Sequence, residues 1–247
     1  MGNQETDNFK KENVFPILLE KGFLELEVII MIEKIGEVFS IGKDNRPIPA
    51  CTISKEIYGG NNCITYFSLA KNTDISAEIH PYHKMLIVAD GNVMVYGYDD
   101  FLKNLITGDS ILTPADTPIG MRTEVGSVYT EISIGKEDIM NEIIKPGEVF
   151  KLADLVPYAE GKIVNMDVVH NDKMKLVLMA FDEGTGLSEH AAPGEALIFA
   201  LDGEGVIGYE GKDHMIKAGQ NFHFAKAGLH SVKATKKFKM ALLLTLE

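Results

Sequence analysis

The chain has only two cysteines in 247 residues, Cys51 and Cys63. Neither lies in a Cys-x-x-Cys pair or beside a histidine cluster. This excludes a disulfide framework and a cysteine-rich zinc module, and two free thiols suit a reducing cytoplasm. The N-terminus lacks the basic-then-apolar order of a secretory signal. Long apolar runs are absent too. The richest early stretch, Leu24 to Ile32, carries Glu25 and Glu27 with Glu33 beside it, and is too short and too charged to span a bilayer. Positive charge is scarce: 24 Lys and Arg stand against 36 Asp and Glu, for a net charge of -12. Nucleic acid and anionic membrane are therefore excluded as main partners, because phosphate binding needs clustered cations. No aromatic stripe alternates with basic residues, which removes the usual single-strand platform. P-loop, strand–GxGxxG–helix and Gly-x-Ser-x-Gly signatures are all missing.

What is present begins with an ordinary globular composition, 45% apolar and 24% charged, which supplies a sizeable core. The sequence also repeats itself. Gly36-Glu37-Val38-Phe39 recurs as Gly147-Glu148-Val149-Phe150. Thr52 to Gly91 then aligns without a gap on Val164 to Gly203, so that Asp90-Gly91 falls on Asp202-Gly203. A unit of this size reads as a duplicated domain and not as a solenoid. Each copy is a series of short strands separated by glycine turns such as Asp202-Gly203-Glu204-Gly205, with no long helical period. The pattern predicts an all-β chain of jelly-roll barrels. The breaks at Pro146 and Gly147 divide it into an N-terminal extension (1–35), a first barrel (36–144) and a second barrel (145–247). Val14 to Ile35 fits either a strand or an amphipathic helix. Small helical turns are expected at Lys136–Glu142 and Leu152–Val156. The lysines at 233, 236, 237 and 239 are expected on a solvated strand edge.

Two stretches of the second copy carry the chemistry: Gly186-Leu187-Ser188-Glu189-His190-Ala191-Ala192-Pro193-Gly194-Glu195-Ala196, ending on Gly203, and Gly219-Gln220-Asn221-Phe222-His223-Phe224, ending on His230. Their spacing resembles the two half-motifs of the cupin superfamily. In that family's first motif the two histidine positions fall here on His190 and Ala192. The glutamate position falls on Ala196, with Glu195 one residue before it. The histidine position of the second motif falls on His230, while its proline and glycine positions hold Ala225 and Ala227. The first copy departs further, with Glu78 and His80 at the histidine positions, Lys84 at the glutamate position and Ile119 at the last histidine position. The resemblance covers about Gly36 to Glu247 and implies a tandem bicupin of double-stranded β-helix barrels.

The resemblance further implies a mixed nitrogen and oxygen site for Mn, Fe, Ni, Cu or Zn. Two of its four usual ligands, His190 and His230, are in place, and Glu195 and His223 are the nearest additional candidates. Strand geometry puts His223 on the face opposite Phe222 and Phe224, so its direction depends on which way the phenylalanines point. Two functions stay open. One is a small-molecule-binding module without metal, for an apolar or small anionic ligand. The other is a metal-dependent oxygenase or isomerase acting on a small polar or sugar-like compound. A cytoplasmic homodimer is the expected setting. Met85, Met94 and Met121 are expected to fill the first copy's core.

Overall fold

A computed structural model of the chain describes residues 31, 33–58 and 63–246. The predicted N-terminal strand or helix lies, up to residue 30, outside the described residues. In the first half the elements are β1 (Val38–Phe39), α1 (Ile41–Asp44), β2 (Thr52–Tyr58), β3 (Ile64–Leu69), β4 (Thr73–Ile79), β5 (His83–Gly97), β6 (Leu102–Ile106), β7 (Ser110–Leu112), β8 (Pro118–Thr123) and β9 (Ser127–Ile134). The second half adds β10 (Ile139–Met140), β11 (Val149–Phe150), a 3-10 turn at Leu152–Asp154, β12 (Ile163–His170), β13 (Met174–Phe181) and β14 (Gly186–Ala191). It ends with β15 (Ala196–Tyr209), β16 (Lys212–Lys217), β17 (Asn221–Phe224) and β18 (Leu229–Thr245). The chain is all-β, as its sequence predicts.

The two halves build sheets of matching order. The first runs β11-β7-β5-β9-β3-β2 and the second β1-β17-β15-β18-β13-β12-β10. The recurring Gly-Glu-Val-Phe stretches explain the exchange at the edges. Val38 pairs with Phe222, in the second half's sheet, while Val149 pairs with Ile111, in the first half's. Each copy thus lends its first strand to the other.

Alternation along the strands sorts the apolar residues into three layers. On β13, Leu176 and Leu178 enter a layer shared by both halves, while Val177, Met179 and Phe181 enter the second half's own core. On β5, Met85 and Ile87 join the shared layer, while Leu86 and Val88 enter the first half's core. Both long strands bend at a register shift beside a glycine: Gly91 after the Val88/Asp90 shift, and Gly203 after the Ala200/Asp202 shift. Gly91 sits at φ +78 and Gly203 at φ +69, and a Cβ on either would lie 2.1 Å and 1.8 Å, respectively, from a facing carbonyl oxygen. Only glycine makes these corners.

Two sequence expectations change. Lys136–Glu142 is not helical, because Ile139–Met140 pairs with Val169 and His170 to extend the sheet. The lysine run is not on an edge either, since β18 lies between β15 and β13. It turns a corner there, with Lys236 on Glu204 at 2.9 Å and Lys239 donating to the Ala153 carbonyl at 2.7 Å. Met85 and Met121 are buried in the cores as expected, and Met94 is half-buried.

The shared layer makes the two halves one cooperative unit. Leu178→Ala is expected to cost about 2–5 kcal/mol and to shift a single denaturant transition reported equally by probes in both halves. Two separate transitions, only one of them moved, would contradict this.

Candidate functional site

His190 and His230 stand directly opposite each other on β14 and β18. Their ring centroids are 4.3 Å apart. His230 is buried and stacks on Phe224 at 4.2 Å, whereas His190 is exposed. Both rings are held in the same way. Nδ1 of His190 lies 2.8 Å from the Ser188 carbonyl oxygen and Nδ1 of His230 lies 3.0 Å from that of Gly228. A carbonyl only accepts, so each Nδ1 carries the proton and donates it. Each Nε2 is then left with a free lone pair. Burial lowers the affinity of His230 for a proton below the ordinary histidine value, and the neighbouring His190 lowers it further, against the raising effect of the Gly228 carbonyl. The pair lies at the end of the second half's aromatic core, where burial disfavours the protonated form of His230.

His223 is elsewhere. Its strand neighbours Phe222 and Phe224 fill the second half's core, and His223 pairs with Leu197, which faces the shared layer. Its Nε2 lies 3.7 Å from Glu195 Oε2. Its Nδ1 approaches Glu33 Oε1 at 3.1 Å, at an angle short of a hydrogen bond. The buried Tyr66 hydroxyl also donates to Glu33 Oε1, at 3.2 Å. The four residues picked from the sequence thus form two pairs on opposite faces of one sheet: His190 with His230, and His223 with Glu195. Among the described residues no three His, Cys, Asp or Glu side chains are arranged to hold a metal ion.

In the first half Glu78 and Ile119 take the facing positions of His190 and His230, and an ion pair lies in the interior beside them. Lys84 shares the inward face of β5 with Leu86, and Glu131 shares that of β9 with Tyr129. Lys84 Nζ lies 3.1 Å from Glu131 Oε1 and both side chains are largely buried. Burial raises the Glu131 carboxyl above its ordinary range, and Lys84 offsets part of that rise. His80 and Glu78, placed together by the sequence, lie 3.4 Å apart nearby. Sequence reasoning missed Glu131, although a lone carboxylate within Ser127-Val128-Tyr129-Thr130-Glu131-Ile132 was the available signal. It also missed Phe224 as the platform under His230, which only the fold brings together.

Comparison with known proteins agrees with the fold. Residues 177–246 match the model of the cupin domain. A protein from Leptotrichia buccalis described as a Cupin 2 conserved barrel domain protein is 27% identical, covers 87% of this chain and 100% of its own, and superposes with a TM-score of 0.75. A salicylate 1,2-dioxygenase from Pseudaminobacter salicylatoxidans shares the fold, at 13% identity, with 74% of this chain and 70% of that one covered and a TM-score of 0.53. No curated protein matches the chain. No helix among the described residues is long and apolar enough to cross a membrane.

Two tests follow from the polar groups. The neutral His230 takes up a proton more readily in the unfolded chain than in the folded one. Its contribution to stability is full above the ordinary value of 6.5 and shrinks as pH falls below it. Thermal midpoints of wild type and His230→Gln should converge between about pH 7 and pH 5, and parallel curves would contradict the assignment. Lys84→Met leaves Glu131 buried without its cation, at an expected cost of about 3–5 kcal/mol. That cost should lessen in acid as Glu131 protonates, and urea titration at two pH values measures it. A neutral substitution would be the contrary result.

The doubled strand order and the domain match identify residues 177–246 as a cupin domain within a chain of cupin-barrel fold.

Proposed function

We propose that this chain is a small-molecule-binding cupin, with His190 and His230 as its recognition pair. The matching Nδ1–carbonyl contacts of the two rings are the observation that carries this reading. Two Nε2 lone pairs, fixed by the Ser188 and Gly228 carbonyls, are ready to accept from hydroxyl or amine donors of a small polar compound. The Phe224 ring beneath His230 gives the site an apolar wall. Small-molecule sites generally pair an apolar lining with a few fixed polar groups.

A second reading, a metal-dependent enzyme of oxygenase or isomerase type, is favoured by the same Nδ1–H to carbonyl bonds, because metal-ligating imidazoles are oriented in that way. The donors present fit a divalent Mn, Fe, Ni, Cu or Zn ion in part. Two imidazole nitrogens would hold it, and its other positions would fall to water or to oxygens of the bound compound. An ion so placed would polarise an oxygen of that compound. His190 and His230 would act as neutral ligands, and burial keeps His230 in that form.

Saturation-transfer NMR with a panel of polyols and hydroxy acids, run on wild type and on the His190→Ala, His230→Ala variant, tests the first reading. At least one compound should bind wild type and lose its signal in the variant. Equal binding to both proteins would sink it. The same pair of proteins in a thermal scan with Zn²⁺ separates the second reading. Ion at one hundred times its Kd should stabilise wild type by about 2.7 kcal/mol and leave the variant unchanged. No stabilisation of either would exclude a metal at this pair.

A further inference from the structure

The first half of the chain contains an open cleft whose counterpart in the second half is filled. A cavity of about 840 Å³ opens between α1 with the 45–50 loop and the turns near residues 71 and 125. Its lining includes Lys43, Arg46, Lys71, Asp90, Pro47 and Val125. Among the described residues none of the three cations has an ion-pair partner. In a chain of net charge -12, three unpaired cations converging on one concavity against a single carboxylate stand out. The frame is fixed. Ser68 donates to the Asn45 carbonyl at 2.9 Å, and the Asn45 amide donates to the Ile41 carbonyl at 2.9 Å. Ala70 N donates to the Cys51 carbonyl at 3.0 Å. Ala50 and Asn72, both lining the cleft, turn the chain at φ 62 and φ 60.

The second half shows what belongs there. Asp202 is the counterpart of Asp90, at the same register shift and before the same positive-φ glycine. There Tyr158, which follows the 3-10 turn, donates its hydroxyl to Asp202 Oδ2 at 2.8 Å. Lys237 and Lys239 hold their ammonium groups over its ring, at 5.3 and 4.6 Å from the centroid. The chain thus plugs its second cleft with a phenol whose hydroxyl meets the aspartate and whose ring lies under cations. The corresponding loop of the first half, Asn45-Arg46-Pro47-Ile48-Pro49-Ala50, has no aromatic residue to do this.

We infer that this first-half cleft is a second ligand site, independent of the histidine pair, for a small hydroxyaryl carboxylate. The ligand's hydroxyl donates to Asp90 as Tyr158 does to Asp202. Its ring rests on Pro47 and Val125, and its carboxylate meets Lys43, Arg46 and Lys71 in charge-assisted hydrogen bonds. The cavity volume lies within the usual range for such ligands, roughly 300–1,000 Å³.

Isothermal titration of the full chain with 4-hydroxybenzoate tests the inference, with benzoate and inorganic phosphate as controls. Wild type should bind one equivalent of 4-hydroxybenzoate and prefer it to benzoate. The Lys43→Ala, Arg46→Ala, Lys71→Ala variant changes only exposed side chains, and its affinity should fall at least about tenfold. Asp90→Asn should erase the preference for the hydroxylated compound. The His190→Ala, His230→Ala variant should bind as wild type does. Absence of saturable binding to wild type, undiminished binding to the triple variant, or loss confined to the histidine variant would each overturn the inference. Equal affinity for phosphate would overturn the assigned ligand class.

Discussion

The structure depends on one dry layer between two sheets. Met85, Ile87 and Ile132 come to it from the first half, and Leu176, Leu178, Leu197, Phe199 and Leu243 from the second. Neither sheet can bury its outward apolar face alone, so each needs the other, in the way sheet pairs generally stack. The exchanged edge strands follow from the same need. By crossing over, Val38–Phe39 and Val149–Phe150 bring Phe39 and Phe150 to the layer while capping the neighbouring sheet's edge. Asn221 ties the crossing down from within, accepting from Ile41 N at 3.0 Å and donating to the Ile198 carbonyl at 3.2 Å.

This layer also decides which polar groups can work together. With Leu197 committed to the shared side, its pair His223 is drawn there as well, and Phe222 and Phe224 turn inward. The inward phenylalanine becomes the platform for His230, while His223 turns its nitrogens to the carboxylates of Glu33 and Glu195. One sheet thereby separates the His190–His230 pair from the cluster of His223, Glu33 and Glu195. In the first half the inward positions went to Lys84 and Glu131, which neutralise each other and need no external cation.

Much of the fold was legible in the residues. Period-2 alternation at Leu176 to Phe181, and the glycines at 91 and 203, report strand faces and corners locally, because both are set by backbone sterics. The duplication in the sequence reappears as two sheets of matching strand order. The crossing of the edge strands was not legible, since Gly-Glu-Val-Phe reads identically whichever sheet it joins. The lysine run misled for a related reason: charge marks exposure, and a corner in a central strand is as exposed as an edge. For the site, the spacing of His190 and His230 located the pair. Spacing alone does not say which face a strand residue takes, so Glu195 and His223 were grouped with them although they stand across the sheet. The cleft lined by Lys43, Arg46 and Lys71 was invisible because it assembles three separate segments, whose convergence is a property of the folded chain.

Ligand recognition as proposed rests on His190 and His230 each donating Nδ1–H to a backbone carbonyl and turning Nε2 toward the ligand. Long-range proton–nitrogen correlation spectra of the imidazole rings at neutral pH measure this directly. The account predicts the Nδ1–H tautomer for both residues, retained until the solution is well into the acid range for His230. An Nε2–H tautomer at either residue, or an imidazolium at His230 at neutral pH, would contradict it.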